Sequence, residues 1–275
     1  MRDSIRLATG AGFSIDDVNF CMRSESWTPP ESSADFRLVF VRRGVYRLRV
    51  RDRETVADPA TAYAVRAGDE QSIAHRVGAR DASTTLTLSP ALLAEFVPRQ
   101  RSEPIGPLFT SGRVDLAHRV LYARASEGAD SFELADRVLR LAAETLGDPA
   151  PDSVSPSVSR RRVVDAAREV LANDPVTLGL EGLADKVCVS PAYLSRIFRR
   201  ETGHTLTRFR NRLRVRLVLD RLEQGETNLS RLATDLGFAD HAHLTRTVRE
   251  EIGCAPSAAR RLVTLCRPSS LPHPR

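Results

Sequence analysis

The chain has 275 residues, 41% of them hydrophobic and 28% charged, with a formal charge of +6. That length suits two ordinary domains, and no apolar run approaches the roughly 18 residues that span a bilayer. Met1 to Gly12 carries charges but no apolar signal core, so a cytoplasmic location away from the membrane is expected. The charge is unevenly spread. Residues 1–159 hold 20 arginines against 22 acidic residues, while the remainder holds 21 basic against 13 acidic. A basic C-terminal part suits a nucleic-acid partner. Cys21, Cys188, Cys254 and Cys266 are scattered without a C-x-x-C pair, which argues against a zinc site.

In chain order, Phe36 to Arg42 and Val45 to Arg51 are rich in Val, Phe and Leu. They predict two strands, with Arg43-Gly44 as a tight hairpin turn between them. The alternation of Tyr46, Leu48 and Val50 with Arg47, Arg49 and Arg51 puts one face inside and one in water. Further strands are expected over Ala62 to Arg66, Gln71 to Val77 and Thr84 to Ser89, with a turn at Ala67-Gly68-Asp69, giving an antiparallel sandwich or small barrel. Two helices follow. Val114, Ala117 and Leu121 share a face of the first, and Phe132, Ala135, Leu139, Ala142 and Leu146 recur at helical spacing in the second. This pair either covers the barrel or forms a dimer interface. Asp148 to Ser159, with three prolines and four serines, reads as an extended linker. The expected division is a sensor and dimerisation domain over 1–147, a linker over 148–159 and a second domain over 160–265.

That second domain contains an internal repeat. Leu180, Leu183, Ala184 and Val187 fall at i, i+3, i+4 and i+7, and so do Leu229, Leu232, Ala233 and Leu236. Each set is followed by a short turn, then by a matching helix: Leu194 to Gly203 in one unit and Leu244 to Gly253 in the other, offset by 50 residues. Ser190 and Asp240 can cap these helices, Pro191 fits a first helical position, and Gly203 and Gly253 can end them. The pattern is a helix-turn-helix, present twice. A connector helix, roughly Leu206 to Glu223, runs between the units with Leu206, Phe209, Leu213 and Leu217 on its apolar face. Arg208, Arg210, Arg212, Arg214 and Arg216 surround it.

Residues 190–203 (SPAYLSRIFRRETG), with Leu232-Ala233, Leu236-Gly237-Phe238, His243-Leu244-Thr245-Arg246 and Gly253 to Ser257, resemble the AraC family's DNA-binding domain over about Arg160 to Leu262. The chain departs from that pattern at Leu244, Val248 and Ala259, where the family usually has aromatics. The resemblance implies an α+β protein: a cupin-like β-barrel with trailing helices, then an all-α double helix-turn-helix domain. It also implies a sequence-specific transcription regulator of double-stranded DNA, acting as an activator. A homodimer, a small-molecule effector and a contact with RNA polymerase belong to the same expectation.

Helical register selects the residues that meet DNA. With Leu194, Ile197 and Phe198 inward, Ala192, Ser195, Arg196 and Arg199 face outward. The resemblance assigns Ala192, Ser195 and Arg196 to base reading. The second helix offers His241, Ala242, Thr245 and Arg246 in the same register. Arg196 and Arg246 can pair bidentately with guanine. Arg199, Arg200 and Arg249 suit phosphate contacts, unless carboxylates such as Glu201 or Glu250 engage them. His241 and His243, at i and i+2, do not face each other, so no metal is expected there.

The N-terminal region resembles a cupin through Arg42-Arg43-Gly44, Ala67-Gly68-Asp69 and His75. Cupin oxygenases need two or three histidines with a carboxylate, and His75 is the sole histidine before His118. No G-x-S-x-G elbow is present either. An enzyme is therefore not expected, and neither is a cofactor. A haem, metal or oxidant site at Cys21 and His75 is the alternative.

Overall fold

Alternation of apolar and polar side chains organises the first half of the protein. The computed structural model describes residues 2–21, 25–51, 53–94, 106–147 and 158–264. Its strands are β1 (Arg2–Gly10), β2 (Phe13–Cys21), β3 (Phe36–Arg43), β4 (Tyr46–Val50), β5 (Arg53–Ala57), β6 (Thr61–Val65), β7 (Gln71–Ala74), β8 (Arg80–Leu88) and β9 (Gly106–Phe109). A short helix α1 (Pro90–Leu93) precedes β9. The strands pair antiparallel in a six-stranded sheet, β1-β2-β8-β3-β6-β9, and a three-stranded sheet, β5-β4-β7. Val39 and Val41 of β3 pack with Leu48, Val50 and Ile73 in one core between the sheets. Phe36, Leu38 and Phe40 point the other way, so the outer face of the larger sheet also needs cover. Helices α2 (Gly112–Ser126) and α3 (Ser131–Gly147) supply it through Leu121, Val138 and Leu141.

The expected alternation on β4 is present: Tyr46, Leu48 and Val50 are buried, and Arg47 and Arg49 are exposed. The hairpin expected at Arg43-Gly44 is not. β3 pairs with β6 and β8, whereas β4 pairs with β5 and β7. Gly44, at φ 85°, is the corner where the chain crosses from one sheet to the other, and a Cβ there would collide with the Asp81 carboxylate. The inward face of α3 is met in part: Ala142 is buried and Ala135 and Leu146 pack on the core, joined by buried Leu134, Val138, Leu141 and Thr145, while Phe132 is 85% exposed. This helix has apolar residues on more than one face, and the sheet covers only one of them.

The helical half comprises α4 (Val158–Asn173), α5 (Leu180–Lys186), α6 (Pro191–Thr202), α7 (Leu206–Glu223), α8 (Leu229–Asp235), α9 (His241–Ile252) and α10 (Pro256–Thr264). Val158 and Ser159 thus open a helix, and the rest of the expected linker, 148–157, lies outside the described residues. Two cores form here. One holds Leu183, Leu194, Phe198 and Phe209, and Ala60 from the sheet region packs into it. The other holds Leu232, Leu244, Val248 and Val218, with Leu116 of α2 packed into it. Among the described residues no helix is long and apolar enough to cross a membrane.

Buried arginines tie the halves together. Arg216 on α7 donates to the Asp115 carboxylate and to the carbonyls of Pro59, Val41 and Arg42, the last at 2.9 Å. Arg168 on α4 donates twice to Asp58 Oδ2, at 2.6 and 2.9 Å, and to Val56 O at 2.8 Å. Arg119 on α2 reaches Asp220 at 2.6 Å and Glu223 at 3.0 Å. Burial pushes the Asp115 carboxyl up, but Arg119 and Arg216 outweigh it and hold it at about 2.

His118, one turn from Asp115 and stacked on Phe40, is fully buried. Burial drives its imidazole down from 6.5 to about 3, and the nearby Arg216 and Arg42 act in the same direction against Asp115. Because the folded value lies below the unfolded one, the stability it contributes is present above pH 6.5 and is lost as pH falls through that value towards 3. Urea midpoints measured from pH 7.5 down to 4.5 should therefore fall in the native protein. In His118→Phe that slope should be shallower.

Candidate nucleic-acid interface

The two second helices of the repeat share one design. In α6, Ser190 Oγ accepts from Tyr193 N, Pro191 sits in the first turn, and Gly203 at φ 74° closes the helix. In α9, Asp240 Oδ1 accepts from His243 N at 2.6 Å, and Gly253 closes at φ 79°. Leu194, Ile197 and Phe198 are buried in one helix, and Leu244, Thr247 and Val248 in the other. The opposite faces are open. Ala192, Arg196, Arg199 and Arg200 are exposed and Ser195 half-buried; His241, Ala242, Arg246 and Arg249 are exposed and Thr245 half-buried.

Among the described residues, Arg196, Arg199, Arg200, Arg246 and Arg249 form no ion pair; Glu201 engages Arg160 instead, at 3.5 Å. The Arg196 guanidinium stands 5.5 Å from the Tyr193 ring centre, which stiffens it without using its donors. His241 Nε2 lies 3.4 Å from Thr245 Oγ1 across one helical turn. No group of three or more metal-binding side chains occurs among the described residues. Cys21 is exposed at the end of β2, while its neighbour Phe20 turns inward to stack on buried His75, whose Nδ1 lies 2.5 Å from Asp81 Oδ2.

The connector arginines do other work, which the sequence reading missed. Arg210 and Arg214 both bond the carbonyls of Pro175 and Val176, at 2.8 to 3.1 Å, fastening the α4–α5 loop to α7. Arg212 donates to Thr110 Oγ1 at 2.5 Å, and Arg216 enters the junction described above. Of the five, Arg208 is exposed. The departures at Leu244, Val248 and Ala259 are core positions, each 0% exposed. Phe198 and Phe209 meet edge to face in the first unit, where the second has Val248 and Ala259.

A helix-turn-helix domain family matches residues 183–262. The matched segment runs from within α5 to within α10 and so takes in both units of the repeat. The HTH-type transcriptional activator RhaS of Escherichia fergusonii is 32% identical over 80 residues, 29% of each chain. The bifunctional transcriptional activator/DNA repair enzyme Ada of Escherichia coli is 33% identical over 92 residues, 34% of this chain and 25% of that protein. The chain thus spans under a third of the length of these relatives. ToxT of Vibrio cholerae O395 aligns over 92% of this chain and 100% of its own at 11% identity, with a TM-score of 0.37.

Within the matched segment the two turns are built alike but filled differently. Gly237 follows the first helix of the second unit at φ 70°; Cys188 holds the corresponding place in the first unit at φ 56°. A left-handed residue with a side chain costs about 1–2 kcal/mol, against about 0.5–1 kcal/mol of extra chain entropy lost by glycine. Cys188→Gly should therefore stabilise the protein by about 0.5–1 kcal/mol, read as a higher urea midpoint.

Proposed function

We propose that the protein is a sequence-specific DNA-binding transcription regulator whose helices α6 and α9 enter two successive major grooves. The observation that carries this is the matched pair of open helix faces, each with an arginine at its centre engaged by no carboxylate among the described residues. Arg196 and Arg246 read guanine, with Ala192, Ser195, His241, Ala242 and Thr245 beside them; Arg199, Arg200 and Arg249 hold phosphates. The heads stand about 34 Å apart on one side of the duplex. The relatives are named as transcriptional activators, which favours activation; a contact with RNA polymerase belongs to the same proposal. The sheet region takes a small effector and has no catalytic role.

The outward face of α3, with Phe132 exposed and Leu139 half-buried, is the surface for a second copy of the chain. Phe132→Ser should shift the protein towards monomer in sedimentation equilibrium while leaving its melting transition nearly unchanged, because this side chain lies outside the core.

Arg196→Ala and Arg246→Ala should each cost about 1–3 kcal/mol on the specific site and relax preference at separate base pairs. Binding to random DNA should fall far less. Arg199→Ala should weaken all sequences alike and lower the salt slope by about one unit. Equal losses on specific and random DNA for Arg196→Ala, in a folded protein, would refute the reading of α6.

A further inference from the structure

The two outward arginines, Arg196 and Arg246, are held differently. Tyr193 stands one helical turn before Arg196, and residues at that spacing are neighbours on a helix. Its half-buried ring packs on the core that contains Leu194 and Phe198. The Arg196 guanidinium lies over that ring, 5.5 Å from its centre. An anchored ring gives the cation a fixed seat. The attraction comes from the face of the ring and leaves the N–H donors of the guanidinium unused.

In the second unit, the place that matches Tyr193 is held by His243. Its ring is engaged elsewhere. It meets Phe238 edge to face at 5.5 Å, and its Nδ1 accepts from Ala239 N at 3.2 Å in the turn before α9. Among the described residues no aromatic ring lies over the Arg246 guanidinium. A mobile arginine must be fixed before it can bond both O6 and N7 of a guanine, and that ordering opposes binding. For Arg196 part of the ordering is met in the free protein. For Arg246 it is not.

We propose that Tyr193 is a positioning residue for base reading: its ring holds Arg196 ready for guanine, so the first unit carries a pre-set reading arginine and the second a mobile one. This deepens the reading of α6 and α9 as DNA-reading helices and rests on it. The seat counts only where the guanidinium must meet a base edge in one orientation. On random DNA, where the charge on the phosphates dominates, it brings no gain.

The test uses the full chain and a duplex that it selects from a randomised library, with a scrambled duplex of equal length and composition as control. Tyr193→Leu should weaken the selected duplex by about two- to fivefold, the scale of an exposed cation–π contact, and leave the scrambled one unchanged. It should also blunt preference at the same base pair that Arg196→Ala relaxes. Tyr193→Phe, which keeps the ring, should bind like the native protein. In an Arg196→Ala background Tyr193→Leu should have no further effect, because both act through one guanidinium. Nitrogen-15 relaxation at arginine Nε in the native chain, free of DNA, should find Arg196 more ordered than Arg246 on the ps–ns scale. Equal order at the two arginines would overturn the proposal, as would a folded Tyr193→Leu that binds like the native protein or a Tyr193→Phe that loses as much. If Tyr193→Leu does not fold, the relaxation comparison decides. Selective loss for Arg196→Ala with none for Tyr193→Leu rejects the positioning role alone; no selected duplex, or equal loss on both duplexes for Arg196→Ala, rejects the reading of α6 on which it rests.

Discussion

A guanidinium taken out of water costs several kcal/mol unless its donors are met, and Arg216 is buried where the two halves of the chain join. It is met by one carboxylate and three backbone carbonyls, all from the sheet half: Asp115, Pro59, Val41 and Arg42. Sliding α7 by one residue would leave a charge and its acceptors unpaired together. Arg168 repeats the arrangement from α4, and the turn it grips, at Asp58, is the one whose Pro59 carbonyl Arg216 holds. The β5–β6 turn is thereby held by two helices of the helical half at once. Ala60, in the same turn, completes the core of the first helix-turn-helix unit.

The placement of α6 and α9 follows from that junction. α6 packs near α4 and α7, while α9 rests on α7 and on the start of α2. Gly112 of α2 sits so close to the Glu251 carbonyl that a Cβ would come within 2.7 Å of it. Both α6 and α9 are thus buttressed from behind by elements that the sheet half grips. Their outward faces, carrying Arg196 and Arg246, stay open to solvent. A displacement within the sheet half would be passed to both heads through α2 and α7, since packed interiors transmit strain instead of absorbing it.

What could be read in advance divides along the range of the interactions. The repeat was legible because its caps, turns and inward stripes are local: Ser190 bonds Tyr193, and Leu194, Ile197 and Phe198 follow a 3.6-residue period. The open residues Ala192, Arg196, Ala242 and Arg246 came out on the correct faces for the same reason. The paths of β1, β2 and β9 were not legible, and neither was the crossing at Gly44, because strand partners are chosen between distant segments. Phe36 and Tyr46 begin neighbouring strands, yet these strands lie in opposite sheets. The roles of the connector arginines were the least legible: Arg216 finds its carboxylate 101 residues away. No periodicity on α7 could announce it.

This rewrites what the charge of the C-terminal half means. Counted along the chain, that half is strongly basic, which by itself points to DNA over its whole surface. In space, Arg168 and Arg216 are spent on Asp58 and Asp115, and Arg210 and Arg214 on the carbonyls of the α4–α5 loop. Arg212 is so far desolvated that burial lowers it to about 10, with Asp115, Glu251 and Asp58 only partly opposing the shift. Among the described residues, the arginines of α6 and α9 that pair with no carboxylate are those that the repeat places outward. Charge is therefore sorted by depth: the buried arginines fix where the helices stand, and the exposed ones keep their donors towards solvent. Salt, which screens exposed charges but scarcely reaches buried pairs, should act on the second group and leave the first in place.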